Sequence, residues 1–225
     1  MNEIVRERFY KMIGYEFKNP ALLDQALTHR SAKGPSNERL EFLGDAILNC
    51  TIACKLYRER PNDTEGDLSR LRANLVKESA LGQLARAFNL GDYIQFGVGE
   101  LKSGGAYRES ILADTLEAII GAIFLDASID VVQACILTWY QGIWKDFATL
   151  DAVKDPKTRL QEYLQAKRLS LPTYTIKTIS GKDHDQQFRV ECHTPSLPIK
   201  TEGIGTNRRL AEQNAAENFL KALKA

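Results

Sequence analysis

The chain is expected to fold as two domains of different class: an all-α domain over residues 1–146, then a small α+β domain of order α-β-β-β-α over 156–225, joined by a linker at 147–155. Three observations predict this. Apolar residues recur at three- and four-residue intervals through the first part, as amphipathic helices require. In the second part β-branched and polar residues alternate over short runs, as half-buried strands require. Between them residues 146–156 carry no sustained periodicity and end in Pro156, a residue suited to opening a helix.

Taken in order, the first part predicts helices over 22–27, 40–56, 68–76, 81–88, 111–125 and 131–144. Breakers separate them: Asn19-Pro20, Lys33-Gly34-Pro35, Pro61-Asn62-Asp63, Gly91-Asp92 and the glycine-rich stretch 97–105. After the linker come a helix at 156–167, strands at 173–179, 187–192 and 199–203, and a last helix over 206–223. No internal repeat or low-complexity tract interrupts this order.

Composition narrows the functional classes. With 44% hydrophobic and 26% charged residues the chain is too apolar for a disordered protein. No run approaches the length that spans a bilayer, the acid-bearing start does not read as a secretory signal, and four cysteines give no disulfide framework. A reducing, cytoplasmic setting without membrane partners is expected. The net charge of +1 conceals an asymmetry, because residues 156–225 hold 12 Lys+Arg against 7 Asp+Glu while the rest is net acidic. A basic part suited to a polyanion follows a part rich in carboxylates.

Those carboxylates are patterned. In the segment Asn37-Glu38-Arg39-Leu40-Glu41-Phe42-Leu43-Gly44-Asp45, Asn37 suits an N-cap and Glu38 the first helical turn. At roughly 100° per residue, Glu38, Glu41 and Asp45 fall within about 60° of one another. Leu40, Leu43, Ile47, Cys50 and Cys54 are expected on the opposite, buried side. A second helix repeats the plan, with Asp114 and Glu117 on one face and Leu112, Leu116, Ile119 and Ile123 on the other. Gly121 lies one step along the acidic line, where a missing side chain permits close approach of a neighbour. If the two helices pack together, the carboxylates converge and call for a hard cation, Mg²⁺ or Mn²⁺. Two solvated helix faces, or metal-free acid–base chemistry by a carboxylate pair, remain open on spacing alone.

The nine residues from Asn37 to Asp45 resemble the signature of the ribonuclease III family of double-stranded-RNA endonucleases. Leu27-Thr28-His29-Arg30-Ser31, Gly66-Asp67-Leu68-Ser69 and the block from Gly104-Gly105 through Glu109-Ser110-Ile111-Leu112-Ala113-Asp114 match the family in the same order. The likeness spans essentially the whole chain and is to the short bacterial form, a helical nuclease domain plus one RNA-binding domain. It implies metal ligands at Glu41, Asp45, Asp114 and Glu117, with Glu117 the least replaceable, and further acids at Glu38 and Glu65 along the same valley. It also implies metal-assisted hydrolysis of both strands to 5′-phosphate and 3′-hydroxyl ends, acting on ribosomal RNA precursors and messages. Phe42 stands about 40° from Glu38, on the acidic side, where an aromatic would waste its burial in a monomer. The family places a subunit boundary there, so Phe42 is expected to be a homodimer contact. A duplex-RNA-binding protein without cleavage is the rival from another class.

The second part is similar to a double-stranded RNA-binding domain, which reads A-form shape across two minor grooves and the major groove between them. Thr158, Gln161, Glu162 and Gln165 form a polar row on its first helix. His184 lies in the loop between the first two strands, and Arg208 and Arg209 open the last helix, where positive charge opposes the helix dipole unless an anion compensates. Four other features carry less. The Cys50/Cys54 pair is expected in the core, His29 in a structural or capping role, and stretch 97–105 lacks the Lys-Ser/Thr of a phosphate loop. For Lys102 and Arg108, spacing does not separate RNA contact from solvation.

Overall fold

A computed structural model describes residues 1–148, 155–181 and 186–223, and the chain divides into two compact units, Met1–Ala152 and Val153–Ala225. The first is helical: α1 (Glu3–Ile13), α2 (Pro20–Ala26), α3 (Glu38–Glu59), α4 (Glu65–Val76), α5 (Glu78–Ala87), α6 (Val98–Lys102), α7 (Glu109–Asp126), α8 (Ile129–Tyr140) and α9 (Trp144–Phe147). Local signals set several starts. Asn19 accepts from the Ala21 N–H with Pro20 in the first turn, Thr64 accepts from the Asp67 N–H, and Ser128 caps α8. Helix α1 was not expected. It is capped by Asn2 and ended by Gly14 at φ 75°, but only Phe9 and Ile13 are buried, too few to write a period into the sequence.

Helix α7 is buried on nearly all sides, and α3 crosses it in direct backbone contact. Two glycines permit the crossing. A Cβ at Gly44 would fall on the Glu117 carbonyl oxygen, and a Cβ at Gly121 on the Leu40 carbonyl oxygen. The role expected of Gly121 therefore holds, and Gly44 is its counterpart. The crossing also corrects the expected stripe on α3. The side chains turned inward are Leu40, Ile47, Leu48, Thr51, Ile52 and Leu56 around Gly44, whereas Leu43 is half-buried and Cys50 and Cys54 are exposed. The physical reason is the glycine seam: α3 packs hardest where it has no side chain, which rotates the buried face away from Cys50. Asn37 is a second correction, for it is buried and makes no side-chain cap. Its backbone instead accepts from the Leu40 and Glu41 N–H groups and donates to the Thr28 carbonyl.

Of the expected linker, Phe147 and Ala148 are bound into the helical unit. Their carbonyls accept from Asn74 Nδ2 at 2.7 Å and Arg60 Nη2 at 2.6 Å. Residues 149–154 lie outside the described set, and Asp155 caps the next helix.

The second unit has the expected order: α10 (Pro156–Ala166), β1 (Thr173–Ser180), β2 (Gln187–Thr194), β3 (Leu197–Gly205) and α11 (Arg208–Ala222). The sheet is antiparallel in the order β1-β2-β3. Leu160 and Leu164 of α10, Cys192 of β2 and Ala215, Ala216 and Phe219 of α11 make the core. Gly203 and Gly205 let α11 lie against β3, since a Cβ at either would meet its backbone.

Candidate functional site

The glycine seam brings two acid-bearing faces together. Glu41 on α3 and Asp114 and Glu117 on α7 each offer a carboxylate oxygen, and these oxygens lie within 4.8 Å of one another. All three side chains are half-buried, so water screens them incompletely. Burial and the charges of Asp45, Asp114 and Glu41 push the Glu117 carboxyl up from 4.5 to about 8. Burial, then Asp114 and Glu38, raise Glu41; burial, then Glu78, raise Asp114. Among the described residues no lysine or arginine forms an ion pair with any of the three. Carboxylate oxygens at this spacing, influenced by the Arg30 charge but not ion-paired, are hard donors that suit a divalent ion.

The other expected acids are placed differently. Asp45 is exposed beside the cluster, its Oδ1 accepting from Asn49 Nδ2 at 2.8 Å. Glu38 is exposed, accepts from the Ser36 hydroxyl at 2.9 Å and lies 3.9 Å from Arg30 Nη1. Glu65 is not with them within this chain. It opens α4, accepts from the Ser69 hydroxyl, and lines a groove with Ala53, Cys54, Tyr57 and Leu68. That part of α3 is about 12–18 Å beyond Asp45 at 1.5 Å per residue.

Next to the cluster is a cleft of about 280 Å³ lined by Glu41 and Asp114 together with His29, Arg30, Glu100 and Arg108. The loop at 28–31 is tied to the segment entering the glycine-rich stretch by His29 N–H to Gln95 O at 3.0 Å and Gly97 N–H to Ser31 Oγ at 3.0 Å. His29 Nδ1 accepts from the Ser31 N–H, in keeping with a local structural role. Arg108 pairs with Glu100 at 2.9 Å, while Lys102 is exposed outside the cleft. Arg30 and Glu100 were missed by helix-face reasoning, because Arg30 is on a loop and α6 has only five residues. The signal for Arg30 was its membership of the Leu27–Ser31 block, and for Glu100 only its nearness to the Gly104-Gly105 block.

Phe42 is 81% exposed, a rare state for a phenylalanine. The groove that holds Glu65 is mostly apolar along Ala53, Leu56, Tyr57 and Leu68, and encloses about 710 Å³.

In the second unit Gln161, Glu162 and Gln165 are exposed on α10, opposite the buried Leu160 and Leu164. Thr158 belongs to that row by spacing, but its hydroxyl donates to Asp155 Oδ2 at 2.9 Å as part of the cap. Arg208 and Arg209 are exposed at the start of α11. Arg208 donates through Nε to Glu212 Oε1 at 2.8 Å, and the Arg209 charge helps hold the Asp155 carboxyl below its ordinary range, after the hydrogen bonds from Thr158 and Lys157. His184 lies outside the described residues.

Residues 19–142 match the family model "Ribonuclease-III-like" and residues 156–223 the "Double-stranded RNA binding motif". Curated relatives called ribonuclease 3 from Mannheimia succiniciproducens and Pasteurella multocida are each 56% identical over 218 residues, 97% of this chain and 97% of theirs. A solved nuclease domain of ribonuclease III from Campylobacter jejuni, described for flexibility in a region involved in dimer formation, is 45% identical with a TM-score of 0.60, covering 64% of this chain and 99% of its own. The helical unit with its gathered carboxylates, the α-β-β-β-α unit and near full-length identity agree: the chain belongs to the ribonuclease III family and is a double-stranded-RNA endoribonuclease.

Proposed function

We propose that the enzyme hydrolyses both strands of duplex RNA with Mg²⁺ held by Glu41, Asp45, Asp114 and Glu117, leaving 5′-phosphate and 3′-hydroxyl ends. The observation that carries this reading is the meeting of Glu41, Asp114 and Glu117 oxygens within 4.8 Å, with Asp45 close enough to raise Glu117. Mg²⁺, for which Mn²⁺ can substitute, would supply a more acidic water and a sink for charge on the leaving 3′-oxygen. With its carboxyl pushed up to about 8, Glu117 would hold a proton near neutral pH in the free protein, and as a ligand it would serve in its ionised form. Asp45, whose Oδ1 accepts from Asn49 Nδ2, would complete the ligand set from the solvent side. Glu38 would line the approach, and Arg30 and Arg108, which line the cleft, would meet a phosphate there.

The reading extends to assembly and setting. Phe42 and the apolar groove near Glu65 are complementary features that one copy leaves unmatched, which supports a homodimer in which Phe42 is a contact. A solved relative described for a region involved in dimer formation agrees with it. In such a pair Glu65 would serve the partner's valley rather than its own. The α10 row with Thr158, the His184 loop and Arg208–Arg209 are taken as the RNA contacts, and the chain as a nuclease part to 146, a connection and an RNA-binding part from 156. Ribosomal RNA precursors and messages are the proposed substrates, in the cytoplasm, in line with four free thiols and the absence, among the described residues, of any helix able to cross a membrane.

The test is a labelled duplex incubated with Mg²⁺ and with EDTA. Cutting only in Mg²⁺, and a Glu117→Ala variant that binds but does not cut, are expected. Activity that survives chelation contradicts the metal reading, and retention without cutting in Mg²⁺ contradicts the nuclease.

A further inference from the structure

Glu212, on the second turn of α11, is a buried carboxylate at 8% exposure in a domain whose surface meets a polyanion. Such a group is tolerated when every oxygen is paired. Its Oε2 accepts from Lys157 Nζ at 2.6 Å and its Oε1 from Arg208 Nε at 2.8 Å. Lys157 is on the first turn of α10, and its ammonium is also 4.6 Å from the centre of the Tyr174 ring on β1. One carboxylate thus ties the starts of both helices. Both donors keep it charged, holding its pKa below the ordinary range against the opposing effect of burial.

The geometry at Arg208 is informative. Its Nε edge is spent on Glu212, yet its side chain remains 63% exposed while that of Glu212 is 10% exposed. A guanidinium is planar, so fixing Nε fixes the plane and leaves the terminal nitrogens as a second donor edge. A free surface arginine loses rotamer freedom when it meets a ligand, whereas here the bond to Glu212 already restrains the side chain. We propose that Glu212, anchored by Lys157, is a positioning residue for duplex binding: it holds the Arg208 guanidinium so that its outer edge meets a backbone phosphate. The inference rests on the reading of the α11 start as a phosphate contact.

Charge and positioning predict opposite signs, which makes the test sharp. Glu212→Gln removes a negative charge near RNA, so electrostatics alone predicts tighter binding. Positioning predicts weaker binding, because an amide has one acceptor and cannot serve both Lys157 and Arg208. The experiment uses the full chain, an RNA duplex of about 20 base pairs, longer than one such domain spans, and EDTA to prevent cutting. Affinity is read by fluorescence anisotropy across a salt series, with circular dichroism as the check on folding. Glu212→Gln is expected to bind about three- to tenfold more weakly. Arg208→Lys, an exposed change that keeps the charge and the fold, is expected to weaken binding nearly as much as Arg208→Gln, since one ammonium cannot present two ordered edges. Arg208→Gln should lower the salt slope by about one unit. An unchanged slope in Arg208→Gln would remove the phosphate reading itself. A lowered slope there, with Glu212→Gln or Arg208→Lys binding as tightly as the parent, would overturn positioning alone. If Glu212→Gln does not fold, Arg208→Lys decides.

Discussion

Glu117 carries most of the tension at the residue scale. Its carboxyl ionises near 8 in the folded chain against 4.5 for an ordinary glutamate, through burial and three neighbouring acids. The folded state therefore keeps a proton that the unfolded state has released, and linkage gives the sign. Below pH 4.5 both states are protonated and the group is neutral to stability, whereas between 4.5 and 8 stability falls as pH rises. Without divalent ion the protein should lose about 3 kcal/mol from this group between pH 5 and 8. Glu117→Gln should flatten that loss, and added Mg²⁺ should suppress it in the parent. Urea denaturation in EDTA at both pH values measures it, and parallel curves for parent and variant would refute the account. In catalysis Glu117→Gln should lower the cutting rate at least about 100-fold while leaving duplex affinity within about twofold.

Helices α3 and α7 set the site through their crossing. Gly44→Ala puts a methyl against the Glu117 carbonyl, and the two backbones must separate. The expected cost is about 2–3 kcal/mol, and because the acids ride on the same two helices, Mg²⁺ affinity should fall with it. Thermal denaturation and a metal titration monitored by calorimetry check both, and an unaltered affinity in a destabilised variant would separate packing from the site. This scale also marks where the sequence was legible. The acidic rows, Gly121 and the α-β-β-β-α order could be read because periodicity encodes which residues share a face. Helix α1 could not, since only Phe9 and Ile13 face the core. Cys50 and Cys54 were misplaced because the wheel shows relative angles but not where the partner helix touches, and Gly44 moved that contact. Arg30 reaches the cleft from a loop and Glu100 from the five-residue α6, neither of which is long enough to carry a readable period.

At the scale of the whole molecule, the proposed homodimer is motivated by two features of the helical unit. Phe42 is exposed, and Glu65 lines a mostly apolar groove with Tyr57 and Leu68, along a part of α3 well beyond Asp45. Phe42→Glu should convert a dimer to a monomer in sedimentation and lower cutting of both strands together, while secondary structure persists. An undisturbed dimer would contradict the contact. Domain roles are separable as well. Raising salt should weaken duplex binding steeply through the basic part, whereas removing the divalent ion should stop cutting through the acidic one. The central claim is that carboxylates of α3 and α7 gather around a divalent cation. Its most direct test is anomalous diffraction from crystals soaked in Mn²⁺. The account predicts a peak bonded to oxygens of Glu41, Asp114 and Glu117 at about 2.0–2.3 Å. Fully ordered carboxylates with no peak between them, or a peak only elsewhere, would contradict it.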